Sequence, residues 1–354
     1  MDELFELYKI STKEQKLDLI DEFFKRKNYL EYIDRLFELL ENEKELIIRE
    51  KIVFSLKKYN TIEIVQQILK FYDSNDVYLR NIAIDIVTSY YELPLQNLLK
   101  MLNSENKHIR KLALDTLFNT RNPMMASFIM ESLINETDIN NKITAVEYLG
   151  KLNAKRYADD IVNLLDKEDN EFFTVTVIEA LNYIGNDYCY KKLSEKFNDI
   201  ENVSIIILKP LIKFCAKFIK KDMIYKLKKL KKHYKFLAKE IIFALNSAFQ
   251  NLTEDEIFEI EKDIYNILKE LLELKLSDII YYEVLTLLSL YDNEEVENIA
   301  KKYLYEKEGI IRYKSAEILI EKNQIKYIED VKKSLNYEKD QTIRERLREL
   351  IKGE

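Results

Sequence analysis

Apolar residues along this chain recur with a period near 3.6, the spacing that puts them on one face of a helix. The stretch opening at Ile109 is representative, with Ile109, Leu112, Ala113, Thr116 and Leu117 on one side. A longer period is superimposed. A basic residue is followed three positions later by a small or apolar one, five later by an acid and seven later by an apolar one. The pattern reads Arg80–Ala83–Asp85–Val87, then Arg110–Ala113–Asp115–Leu117, then Lys142–Ala145–Glu147–Leu149. Thr174–Val177–Glu179–Leu181 keeps only the last three positions. Copies start roughly 30 to 32 residues apart, a spacing typical of helical-hairpin repeats.

The pattern extends outward with decay. Arg49–Ile52–Phe54–Leu56 precedes the clean copies, and Lys235–Ala238–Glu240–Ile242 follows them after a gap. Arg312–Ser315–Glu317–Leu319 and Arg344–Leu347–Glu349–Ile351 return near the C-terminus. Between copies the sequence predicts a second amphipathic helix: 62–71, 95–102, 124–133 and 157–165. Asn122-Pro123 reads as an N-cap with Pro at the first helical position. Ser11-x-x-Glu14, Thr253-x-x-Glu256 and Asp292-x-x-Glu295 read as capping boxes. Residues 199–276 depart from the period, with a helix expected to open at Lys209-Pro210 and one long helix over 253–275. The expected division is N-terminal capping helices at 1–43, regular repeats at 44–198, irregular repeats at 199–276, and C-terminal repeats with a cap at 277–354.

The polar turns, the apolar–Arg steps Leu79-Arg80 and Ile109-Arg110, and the Ala downstream of each resemble HEAT repeats of the bacterial, phycobilin-lyase-associated kind. The resemblance covers about two-thirds of the chain. It implies an all-α, armadillo-like α-solenoid of about ten stacked hairpins wound as a right-handed superhelix. This repeat type serves many functions, so it carries fold more than activity.

Composition agrees with an all-helical chain. Gly occurs four times and Pro three times in 354 residues, and no Asn-Gly or Asp-Gly pair offers a tight hairpin. The formal charge of −7 argues against uniform coating by nucleic acid. Met1-Asp2-Glu3-Leu4 lacks a signal-peptide pattern, and no apolar run is long enough to span a bilayer. The two cysteines, Cys189 and Cys215, form no disulfide framework. The expectation is a cytoplasmic protein without membrane insertion.

Candidate chemistry is sparse. The ladder Arg49, Arg80, Arg110, Lys142, Arg312 and Arg344 is expected to be structural. Each base would reach an acid or helix-terminal carbonyls of a neighbouring repeat, with Asp85, Asp115, Glu147, Glu317 and Glu349 recurring in step. The most unusual segment runs from Lys209 to Lys239, with twelve lysines against one acid, Asp222. Lys209, Lys213, Lys217 and Lys220 share one helical face. Lys221, Lys228, Lys229, Lys231 and Lys232 follow, with Tyr225, His233, Tyr234 and Phe236 close by. Such a patch can grip an acidic protein or a phosphate backbone; alternatively the acidic helix downstream neutralises it.

HEAT-like DNA glycosylases hold lesions with Trp and a catalytic Asp; Trp is absent here, and Asp159-Asp160 beside Tyr157 is the nearest substitute. Deoxyhypusine hydroxylases of the same repeat type bind iron through His-Glu pairs. His108 and His233 are the only histidines, and neither precedes Glu, so no metal or other cofactor is expected. No Gly-rich phosphate loop or Ser elbow is present, and no small-molecule substrate is evident. The expected function is a non-catalytic scaffold or adaptor that binds a protein partner, with acidic partners among the candidates, in a concave groove lined by the second helices. The alternative is nucleic-acid binding through Lys209–Lys239, including a glycosylase-like role.

Overall fold

A computed structural model describes residues 2–26, 29–59, 61–90, 94–306 and 308–352. Met1 of the N-terminal reading and Gly353 of the four glycines lie outside them. The protein is all-α: among the described residues there is no strand. Two compact units divide at the middle of the chain, Met1–Ile184 and Gly185–Glu354.

In the first unit the motif copies occupy alternate helices, Leu46–Lys58, Val77–Ser89, Lys107–Asn119, Ile139–Lys151 and Glu171–Ile184. Each packs on the next, and Lys13–Lys25 packs on the first of them. The intervening helices, Ile33–Asn42, Ile62–Ile68, Leu95–Leu102, Ala126–Asn135 and Ala158–Asn163, form a second, more thinly connected layer. The second unit repeats the scheme. Ile205–Lys217, Tyr234–Asn251, Asp278–Leu288 and the start of Gly309–Tyr337 pack in series, and Lys221–Lys229 packs on Glu254–Leu272.

The motif is explained by burial. Its third-position residues Ile52, Ala83, Ala113, Ala145, Val177 and Ser315 are buried, as are its seventh-position residues Leu56, Val87, Leu117, Leu149, Leu181 and Leu319. Positions three and seven lie one turn apart on one helix face, and each large aliphatic side chain buried there contributes about 1.5–3 kcal/mol. Small residues keep the motif helices close. A Cβ placed on Gly150 would lie 2.9 Å from Cα and Cβ of Ala180 on the following motif helix.

Several boundaries differ from the sequence expectation. The first capping box is Thr12 with Gln15, one residue on from Ser11, because the Ser11 hydroxyl instead donates to the Leu7 carbonyl. Asn293, not Asp292, caps its helix by accepting from the Val296 N–H. Thr253 and Glu256 form the expected reciprocal box, and Asn122 accepts from the Met124 N–H ahead of Pro123. The second helices of the first unit are partly 3₁₀, as at Leu69–Asp73, Pro123–Met125 and Lys155–Tyr157. Pro210 does not open a helix; it lies inside Ile205–Lys217, where it removes one backbone donor. The 29-residue stretch Gly309–Tyr337 turns a corner at Asn323, whose backbone is non-helical and whose side chain caps the next helix at Lys326 N–H, 3.0 Å away.

Candidate functional site

The basic ladder has a fixed geometry, and its carboxylate partners are not the acids five residues on. Four of the six bases reach forward by a nearly constant interval. Arg49 pairs with Asp76 at 2.7 Å across 27 residues. Across 26 residues, Arg110 pairs with Glu136 at 2.6 Å, Lys142 with Glu168 at 2.9 Å and Arg312 with Glu338 at 2.5 Å. Lys16 joins the series by donating to Glu43 at 3.1 Å across 27 residues.

Four guanidiniums, two of them among the forward pairs, reach back six residues to a loop carbonyl. Arg80 donates to Ser74 O at 2.5 Å, Arg110 to Ser104 O at 2.8 Å, Arg312 to Glu306 O at 2.7 Å and Arg344 to Glu338 O at 2.6 Å. The residue six before each motif base is therefore a junction. Where it is an acid, its carboxylate receives the preceding base, and at Glu43, Glu136 and Glu338 it also accepts loop N–H groups. Glu136 accepts from Thr137 N, Asp138 N and Asn141 Nδ2, as well as from Arg110. The loop ahead of Arg80 offers no such carboxylate: Ser104 stands at the junction, and Asn106 takes the cap position that Asp76 holds ahead of Arg49.

Electrostatics follow from these bonds. Burial alone would raise the Glu136 carboxyl, but Arg110, the Asp138 and Thr137 N–H groups and Asn141 together hold it below its ordinary value. Glu338 is lowered in the same way by its loop N–H donors and Arg312, against burial. The Arg49 guanidinium lowers Asp76. The side chains of Glu136 and Glu338 are almost fully buried, 1% exposed each. A buried ion pair of this kind gives little net stability over an apolar pair, but removing one partner is costly.

The acids that recur on the motif helices have other partners. Asp85 pairs with Lys57. Asp115 takes Lys111 at 2.9 Å and the Tyr148 hydroxyl at 2.5 Å. Glu147 pairs with Lys151 at 2.5 Å, and Glu317 with Lys314 at 2.5 Å. Glu349 is exposed on the last helix.

The Lys-rich segment is split between the two layers of the second unit. On the second-helix side, Lys221 pairs with Glu259 at 2.5 Å, Lys228 with Asp263 at 2.6 Å and Lys231 with Glu270 at 2.6 Å. All three carboxylates belong to the acidic helix Glu254–Leu272, and these bonds raise all three ammonium groups. Lys226 is buried and donates to Ser194 O at 2.8 Å and Ser194 Oγ at 2.6 Å. The Lys220 ammonium sits 5.1 Å from the centre of the Tyr190 ring. Lys229 and Lys232 are exposed. Tyr225 is 43% exposed, whereas Tyr234 is buried with its hydroxyl unpartnered.

Lys213 and Lys217 lie elsewhere, with Lys209, on the exposed stripe of the motif helix Ile205–Lys217. Lys220 does not share that face as expected, because the helix ends at Lys217 and Lys220 is the extended N-cap of Lys221–Lys229. Partial desolvation and the neighbouring Lys213 charge lower Lys217. The next motif helix, Tyr234–Asn251, continues this surface with exposed Lys235, Phe236, Lys239 and Phe243. The paired aromatics Phe236 and Phe243 were missed as a unit in the sequence. Their seven-residue interval, two turns of helix, was the available signal.

Among the described residues no group of three His, Cys, Asp or Glu side chains is arranged to hold a metal ion. Asp159 and Asp160 are exposed on the short helix Ala158–Asn163. His108 lies exposed in the first turn of Lys107–Asn119, behind the cap residue Asn106. No described helix is long and apolar enough to cross a membrane. No protein-family model matches the chain, and no curated protein matches it.

Proposed function

We propose that the protein is a non-catalytic HEAT-like interaction scaffold in which each unit is a stretch of α-solenoid and the motif-helix layer receives a protein partner. The observation that carries this reading is the ladder that ties one loop to the next in both units, Arg110 to Glu136 and Arg312 to Glu338 at the same 26-residue interval. A fixed loop-to-loop step supports a stack whose units contact only their neighbours. Such a stack leaves one continuous helix layer free for binding.

The motif helices approach one another more closely than the second helices, as Gly150 against Ala180 illustrates. In a curved stack the closer-packed layer lies on the inside. We therefore place the groove on the motif helices rather than on the second helices that the sequence suggested.

The test is affinity capture from the native host, with nuclease-treated and untreated halves and bound material identified by mass spectrometry. A stoichiometric protein that survives nuclease is the expected result. Capture of nucleic acid alone, with recovery that collapses on nuclease treatment, would replace the scaffold with the nucleic-acid reading.

A further inference from the structure

The second unit carries a basic-aromatic face on two adjacent motif helices, distinct from the lysines that pair with the acidic helix. On Ile205–Lys217 the exposed stripe is Ile206, Lys209, Lys213 and Lys217; on Tyr234–Asn251 it is Lys235, Phe236, Lys239 and Phe243. The two helices pack directly on each other. Their remaining sides are occupied by packing on neighbouring helices, so both stripes belong to the side of the motif layer that faces away from the second helices.

Acidic residues are nearly absent from these two helices. Ile205–Lys217 has none, and Tyr234–Asn251 has only Glu240, half-buried at the edge of the stripe. Large apolar side chains stand among the cations: Phe236 is 62% exposed, Phe243 44% and Ile206 40%. The neighbouring Lys221, Lys228 and Lys231 have their charge answered within the fold. Here Lys209, Lys213, Lys235 and Lys239 stand beside exposed rings, and the only carboxylate on the two helices is Glu240.

We propose that this face docks an acidic amphipathic helix of a protein partner; the proposal rests on the scaffold reading above and specifies its binding surface. Lys209 and Lys213 on one helix, and Lys235 and Lys239 on the next, are four residues apart, about 6 Å along the axis at 1.5 Å per residue. Carboxylates at the same four-residue spacing on a docked helix would share that repeat. Phe236 and Phe243 stand two turns apart, about 10 Å, the interval of apolar anchors at i and i+7 in helix-in-groove recognition. Aromatic anchors supply the affinity while charge complementarity sets orientation and encounter rate.

An acidic helix is favoured over a phosphate backbone by the apolar side chains among the cations, Ile206, Phe236 and Phe243, which a docked helix covers with its own apolar face, and by the formal charge of −7, which repels a polyanion at long range.

The experiment uses the full chain and three fluorescein-labelled probes read by anisotropy at low and moderate salt. The first is a 16-residue helical peptide with Leu on one face and Glu on the other. The second is its scrambled isomer of equal charge, and the third is a 16-nucleotide oligouridylate. The amphipathic peptide is expected to bind at least tenfold more tightly than the scrambled one. The pair Phe236→Ala/Phe243→Ala and the pair Lys213→Gln/Lys239→Gln should each weaken it tenfold or more. Lys228→Gln/Lys231→Gln, on the other layer, should change it less than twofold.

Because the two test pairs alter exposed side chains by different chemistry, either pair carries the test if circular dichroism shows the other misfolded. Equal binding of the two peptides, tighter binding of the oligouridylate, no peptide binding, or indifference to both test pairs overturns the proposal. Host capture repeated with Phe236→Ala/Phe243→Ala separates the two levels of inference. A partner retained by that variant removes this face and leaves the scaffold standing; absence of any partner with the wild-type chain removes the scaffold.

Discussion

Replacing Arg110 by Met probes the ladder at the rung with the most hydrogen bonds. Met keeps most of the aliphatic stem and removes the guanidinium, which makes bonds of 2.6–3.1 Å to Glu136 and of 2.8 and 3.0 Å to the carbonyls of Ser104 and Glu105. The Arg110 side chain is 13% exposed and that of Glu136 1%, so the carboxylate would stay buried without its cation. Breaking a buried pair costs roughly 3–5 kcal/mol. Glu136 retains two N–H donors and the Asn141 amide, which offsets part of that loss. The expected destabilisation is about 2–3 kcal/mol, near the range for a buried, partly satisfied charge.

Units of a repeat array need not unfold together, so the readout should be local. Hydrogen exchange followed by mass spectrometry should show amide protection in Lys107–Asn119 and Ile139–Lys151 falling roughly 30- to 150-fold at pH 7, the same energy expressed as an opening equilibrium. Lys151→Ala, which breaks an exposed pair on the same layer, should change protection little. The effect should also fade in acid. Glu136 is held below its ordinary value in the folded state, so its contribution is present above that value and is lost as pH falls through the folded one. A loss under about 0.5 kcal/mol at pH 7, against the roughly 3–5 kcal/mol of a buried pair, would refute the ladder as an energetic tie between successive loops.

Gly150→Ala should destabilise the first unit by about 1–3 kcal/mol through overpacking, since the added methyl meets Ala180 at 2.9 Å; a stabilised variant by thermal unfolding would mean the helices part freely. Burial pushes the Cys215 thiol up to about 12, and Cys189 is fully buried, so a disulfide reagent at pH 8 should label neither until urea unfolds the chain. The Glu43 carboxyl is lowered from 4.5 to about 2, with burial opposed by the Glu45 and Lys44 N–H groups, Tyr8 and Lys16. Its stabilising contribution is therefore present above pH 4.5 and is lost as pH falls toward 2. Acid unfolding followed by circular dichroism should be shallower over that window for Glu43→Gln than for the wild type, and parallel curves would contradict it.

The sequence by itself determined the all-helical class and the alternation of motif helices with second helices, because both depend on local periodicity. Ala83, Ala113 and Ala145 are buried at the third motif position and Val87, Leu117 and Leu149 at the seventh, as 3.6-residue spacing requires. The caps at Asn122 and Thr253 were legible for the same reason, since a cap bonds within its own first turn.

Tertiary structure alone decided which charges meet. Asp115 recurs in phase with Arg110, yet it points to Lys111 and Tyr148, while Arg110 crosses 26 residues to Glu136. The acids six before the first motif position, Glu43, Glu136, Glu168 and Glu338, were visible in register, but their role depends on how one hairpin stacks on the next. The division of the Lys-rich segment has the same origin. Lys228 and Lys231 face the acidic helix, whereas Lys213 and Lys239 face outward. Position along the chain sets how many lysines there are; only the rotation of each helix in its layer sets which have a carboxylate opposite.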